Sequence, residues 1–232
     1  IGGLGWDWLP FMLTDYDQVD EYYINGWIND ELTKQYADNG LIRVAPTENC
    51  FRECGNVKRP INSMADMTGL KIRVPETQAC QDFYTALGAI PAAIATSETL
   101  AALEQGTVDG VDNSIYNMKS MGVLEKIKYI TMLNYMYSGA SITCSEEFWN
   151  SMTANQQAAF KQAADEAGAF FRENMRADEQ TILDQGSFEV EEIDPSSDFY
   201  KQMKEKAVEL WAGYASEYPS DIMDRINQDF SV

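Results

Sequence analysis

The chain has 232 residues, 45% of them hydrophobic, and carries 37 acidic against 17 basic side chains, a formal charge of −20. That apolar content supports a folded core in one or two domains, while the acidic balance argues against a nucleic-acid or anionic-membrane surface, both of which need basic patches. There is no histidine, which removes Ser-His-Asp and Cys-His catalysis, His-ligated zinc and imidazole proton shuttling.

The opening Ile1-Gly2-Gly3-Leu4-Gly5 has no Met and no basic leader, and reads as processed or truncated. Its glycines lack the Lys-Ser/Thr and the preceding strand of a phosphate loop. From Val19 to Tyr36 apolar residues recur at helical spacing, and Asn39-Gly40 stops the pattern. Leu41 to Ala45 reads as a short strand, and Leu70 to Val74 as another, with Leu70, Ile72 and Val74 on one face and Lys71 and Arg73 on the other. Helices follow over Glu76 to Leu87 and Ser97 to Gln105, then a strand over Val108 to Val111. This alternation predicts an α/β architecture with a largely parallel sheet.

Thr153-Ala154-Asn155-Gln156 has the form of a capping box, and a helical pattern then runs to about Leu183. Some 30 residues at ~1.5 Å rise span roughly 45 Å, which suits a helix crossing two lobes. Beyond it, Phe188 to Ile193 alternates as a strand, and Pro195 opens a helix through Trp211. No apolar run reaches the roughly 18 residues that span a bilayer. Cys50, Cys54, Cys80 and Cys144 form no C-x-x-C pair. Cys50 and Cys54 are close enough to bridge, and free thiols are the equal alternative.

Between Arg52 and Arg73 five cations face two acids, a local +3 in a strongly acidic chain. Arg73 lies at the carboxyl end of its strand and Asn113 follows the carboxyl end of the next, where open α/β sheets bind ligands. A guanidinium there can grip a carboxylate through two parallel hydrogen bonds, with Asn as an adjacent donor. The acidic run Glu189, Glu191, Glu192 and Asp194 reads as a solvated edge, and the five tryptophans as packing.

The segment Asp66-Met67-Thr68-Gly69-Leu70-Lys71-Ile72-Arg73-Val74-Pro75 resembles the D-x-x-G-L-K-[IL]-R-V-P stretch of solute-binding proteins from TRAP (tripartite ATP-independent periplasmic) transporters, the dicarboxylate-binding-like family. Leu103 to Asn113 is similar to its L-Q-x-G-x-V-D-G-x-E-N, and Leu9-Pro10-Phe11, Phe51-Arg52 and Lys58-Arg59-Pro60-Ile61 resemble further landmarks in the same order. The resemblance implies a two-lobed periplasmic-binding-protein-like α/β fold with a long helix spanning both lobes. Residues 1–49 and 139–178 would form lobe I, incomplete without the family's N-terminal stretch, and residues 50–138 and 179–232 lobe II. It further implies an extracytoplasmic monomer, free or lipid-anchored, without cofactor or catalysis. Such a protein closes on a small organic acid and delivers it to a TRAP membrane permease. A sensor coupled to a receptor, and an enzyme acting on organic acids, are the alternatives. In the family's pattern Arg73 clamps the carboxylate, Asn113 assists and Arg52 is a second cationic contact. Asp112, which replaces the family's Glu, and Thr96, which stands where Phe is common, are counted among the ligand-binding positions that the resemblance implies; Cys50 stands where Gly is common and Ser114 where Pro is common.

Overall fold

The computed structural model describes residues 4–230; Gly2 and Gly3 of the glycine-rich opening lie outside them. Among the described residues eight strands form two sheets: β1 (Leu41–Phe51), β2 (Glu53–Asn56), β3 (Lys71–Val74), β4 (Ile90–Ala93), β5 (Gly110–Asn113), β6 (Tyr129–Met132), β7 (Tyr137–Ser145) and β8 (Glu189–Glu192). The larger sheet has the order β4-β3-β5-β2-β6-β8, and β1 and β7 form a separate antiparallel pair. The fold is two-lobed α/β.

The β3–β4 and β3–β5 pairs are parallel, as the strand–helix alternation predicts. The helix Gln78–Ala86, which joins β3 to β4, buries Ala79, Cys80, Phe83 and Tyr84 on the sheet. Each of those aromatic side chains contributes roughly 2 kcal/mol by leaving water. The expectation of a largely parallel sheet fails at β2, which runs antiparallel to both β5 and β6. The reason is the chain path: β2 continues β1 out of the other sheet, so it enters from the opposite side.

Two strand crossings join the sheets, one at Arg52 between β1 and β2 and one at Leu133–Met136 between β6 and β7. They are tied together, since the Arg52 N–H donates to the Met136 carbonyl at 3.0 Å. The buried Glu53 carboxylate also accepts the backbone N–H groups of Leu133 and Asn134, the latter at 3.0 Å. Cys50, just before the first crossing, has φ 60°, a left-handed backbone conformation that glycine adopts most readily. A side chain there costs on the order of 1 kcal/mol.

The third link is the helix Ala154–Gln185, opened by the expected Thr153–Gln156 capping box. Its 32 residues span roughly 48 Å. Toward its start Gly168 lies against the smaller sheet so closely that a Cβ would come within 2.5 Å of the Pro46 carbonyl. Toward its end Ile182 packs in the cluster formed by Val111, Ile127 and Ile130 under the larger sheet. Arg176 between them donates to both oxygens of buried Glu48, at 2.8 and 3.0 Å, and to Asp20.

The single helix expected over 19–36 is broken. Helical turns over 16–24 end at Asn25-Gly26, and a new helix occupies Trp27–Asp38. Gly26 is the break, because a Cβ there would lie 2.4 Å from the Glu21 carbonyl. The predicted helix from Pro195 forms as Asp198–Tyr214, followed by a further helix, Ser220–Phe230. Both return to the chain's beginning: the Trp211 indole donates to the Pro10 carbonyl at 2.9 Å and the Trp27 indole to Asp229 at 3.0 Å. All four cysteines are free thiols, so the Cys50–Cys54 bridge does not form.

Candidate binding cleft

Arg73 ends up where strand alternation puts it, at the carboxyl end of β3, level with Val111 of β5. Leu70, Ile72 and Val74 fill the core, and Lys71 is exposed. The Arg73 side chain reaches across the end of β4, with Nε donating to the Ile94 carbonyl at 2.8 Å and Nη2 lying 3.4 Å from the Thr96 hydroxyl. Both acceptors are neutral. Arg73 is only 2% exposed, yet among the described residues it forms no salt bridge. Burial, then the nearby Arg52 cation, pulls its pKa down. A guanidinium drawn out of water without an anion is an unfinished electrostatic arrangement.

Asn113 lies two residues beyond Arg73's register, as the last residue of β5. Its Oδ1 accepts the Ser114 N–H at 2.9 Å and the Asn117 amide at 3.3 Å, which turns its amide nitrogen outward toward the Met121 sulfur at 3.3 Å. Ser114 then caps the helix Ile115–Ser120. Thr96 is exposed and touches the site through its contact with Arg73.

Arg52 and Asp112 are directed at one another. Arg52 Nε and Nη2 donate to Asp112 Oδ2 at 3.0 and 2.8 Å, and Nη2 also donates to the Asp112 carbonyl at 2.9 Å. The other carboxylate oxygen accepts the Tyr135 hydroxyl at 3.1 Å, with the Tyr84 hydroxyl 3.5 Å away. Both partners are buried. Burial opposes the Arg52 charge, but the Asp112 carboxylate outweighs it and drives the guanidinium pKa up. The Trp8 indole lies over Arg52, with its ring centre 5.8 Å from the guanidinium carbon. Trp8 also lines a cavity of about 330 Å³ together with Leu4, Tyr23, Gly139 and Thr77.

Sequence reasoning missed two parts of this region. One is the Arg52–Asp112 closure, which depends on β2 and β5 pairing antiparallel. The other is the acid cluster at the crossings. There Glu179 of the long helix accepts the Tyr16 hydroxyl at 2.9 Å, and both Glu179 and Glu53 keep one buried oxygen without a hydrogen bond among the described residues. Only the chain's distant contacts bring these acids together.

A two-lobed α/β fold with a buried, unneutralised arginine at the carboxyl ends of its strands defines a binding-protein scaffold. The chain belongs to the bacterial extracellular solute-binding protein family 7, whose model matches residues 6–217. It is 27% identical over 80% of its length to the C4-dicarboxylate-binding periplasmic protein DctP of Rhodobacter capsulatus, of which it covers 56%. It spans about half the length of the curated relatives it matches. A TRAP periplasmic solute-binding protein of Ochrobactrum anthropi, whose C-terminus is bound in its ligand-binding pocket, superposes with a TM-score of 0.86 at 27% identity. That match covers 96% of this chain and 70% of the other. A second, from Polaromonas sp. JS666 and bound to D-erythronate, gives 0.79 at 29% identity, covering 97% and 73%. These family members are binding proteins. Among the described residues no helix is long and apolar enough to cross a membrane.

Proposed function

We propose that this chain captures a small organic acid outside the cytoplasm by closing its lobes over the carboxylate, and hands it to a TRAP-type membrane permease without chemical change. Residues 1–49 and 139–178 are taken as one lobe, 50–138 and 179–232 as the other, with the crossings at Arg52 and at Leu133–Met136 as hinge strands. The observation that carries the reading is Arg73: buried, held by neutral acceptors, and without a directly paired anion among the described residues. A ligand carboxylate supplies the missing charge, and the outward amide of Asn113 donates beside it. Arg52, tied to Asp112, acts behind this contact by holding the two crossings and β5 in place. The D-erythronate bound by the Polaromonas protein supports an acid as the ligand class.

The test is a thermal-shift and calorimetric screen against C3–C6 carboxylic, 2-oxo and sugar acids. A ligand at 100 times its dissociation constant adds about 2.7 kcal/mol to the folded state. Arg73→Ala is expected to abolish binding and leave the fold intact, and Arg73→Lys to bind poorly because an ammonium lacks the planar fork. Binding by Arg73→Ala within a few-fold of the parent would overturn the reading.

A further inference from the structure

Away from the Arg73 cleft, a second cavity of about 270 Å³ opens where the long helix meets the strand crossings. Phe51, just before the first crossing, Asn134, on the second, and Glu179, on the long helix, all line it, so it touches every link between the two sheets. Glu179 is 7% exposed; its Oε2 accepts the Tyr16 hydroxyl at 2.9 Å, and its Oε1 has no hydrogen bond among the described residues. Phe51 and Met132 are buried beside it, whereas Asp15 and Glu192 line the same cavity from exposed positions. One acid thus stands at the buried end of a partly apolar wall and two at the solvent end.

Arg176 is on the wall as well, but each of its three nitrogens donates to Glu48 or Asp20, and its guanidinium carbon lies 4.2 Å from the centre of the Tyr16 ring. It is committed and leaves Glu179 without a cation. Among the described residues no three acidic or cysteine side chains converge to hold a metal ion. A single buried carboxylate oxygen next to apolar surface suits a different cation, an alkylammonium: its N–H groups donate to the carboxylate while its methylenes lie on Phe51 and Met132. Thr14 and Asn134 place further oxygen acceptors on the same wall.

We infer that this cavity is a second binding site, for a small aliphatic amine with one ammonium on Glu179 and, in a diamine, the other toward Asp15 and Glu192. The site stands whether or not Arg73 takes a carboxylate. Its competitor is the proton, because burial raises the Glu179 pKa to about 7. The groups facing Glu179 are Tyr16, Glu48 and Cys50 of β1, Glu53 of β2, and Asp15 and Glu192 across the cavity, with Arg176 one turn back on its own helix. Arg176 is the one cation among them, so an ammonium brings Glu179 a charge that its neighbours do not.

The experiment is calorimetry and thermal shift on the full 232-residue chain with n-butylamine and 1,4-diaminobutane, at ionic strength matched with sodium chloride. Both probes keep their ammonium charge below a pKa of about 10. At pH 8 saturable one-to-one binding is expected, tighter for the diamine, and about tenfold weaker at pH 6, where Glu179 holds its proton. Titration at pH 7 in two buffers of different ionisation heat is expected to show about half a proton released per amine bound. Glu179→Gln, which still accepts from Tyr16, is expected to weaken both amines at least about tenfold. The double variant Asp15→Asn, Glu192→Gln is expected to bring the diamine down to the affinity of butylamine. Undiminished binding by Glu179→Gln, binding without proton release, an effect that sodium chloride alone reproduces, or no binding of either amine at pH 8 would overturn the site.

Discussion

Replacing Glu179 by glutamine isolates the electrostatic cost of an acid buried where the long helix meets the strand crossings. Glu179 is 7% exposed, accepts the Tyr16 hydroxyl at 2.9 Å through one oxygen, and has no hydrogen bond to the other among the described residues. It borders a cavity of about 270 Å³ shared with Phe51, Met132 and Asn134. Burial pushes its pKa from the ordinary 4.5 to about 7; the Tyr16 hydroxyl works against that rise, and Glu48 adds to it. The unfolded chain releases this proton near 4.5, while the folded chain holds it to about 7. Between those values the folded state binds more protons, so stability falls as pH rises through the window. The displacement corresponds to about 3 kcal/mol, fully expressed above pH 7. Glutamine stays neutral and can still accept from Tyr16. Urea unfolding from pH 5 to 8 is expected to show parent and variant close together at pH 5. By pH 8 the variant should be more stable by up to about 3 kcal/mol. Glu53, also raised by burial, remains and leaves a residual slope. A variant less stable than the parent at pH 8, or one with the parent's slope, would refute the argument.

Asp112→Ala is expected to cost about 3–5 kcal/mol in urea unfolding, because Arg52 is left buried and unpaired. Tyr135→Phe, which removes one hydroxyl from the same carboxylate, is expected to cost about 1 kcal/mol. Native protein at pH 8 is expected to release one equivalent of thionitrobenzoate with Ellman's reagent, from Cys144. Burial pushes Cys54 and Cys80 up to about 12 and raises Cys50 as well. Two or more fast equivalents would show those thiols to be accessible.

The strand–helix rhythm around β3, β4 and β5 was legible because each element is short, locally punctuated and paired with near neighbours. Arg73 and Asn113 followed directly from it, since alternation and position at a strand end are local properties. The long helix was legible from its capping box. The strands β2, β6 and β7 were not. Their partners lie far along the chain, β1 and β7 carry irregular registers between Arg43 and Ala45 and between Glu48 and Phe51, and Gly, Pro, Asn and Glu in these stretches mask the alternation. The same distance hid the Arg52–Asp112 pair: both residues were read as facing the ligand, and only their opposition across β2 and β5 shows one neutralising the other. The break at Gly26 was invisible for a different reason, because helical periodicity continues on both sides of it.

The pairing of β1 with β7 also sets the order in which the molecule can assemble. Leu41 meets Ser145, so the smaller sheet joins segments separated by about a hundred residues, and closing such a loop costs on the order of 4 kcal/mol before any contact repays it. Inside that loop β3 pairs with β4 and with β5 over much shorter separations, so these pairs can form first. Refolding is thus expected to form β3, β4 and β5 with their helices early and the β1–β7 ladder late. The long helix, arriving after β7 in the chain, then clamps a sheet that has little to hold it until that moment.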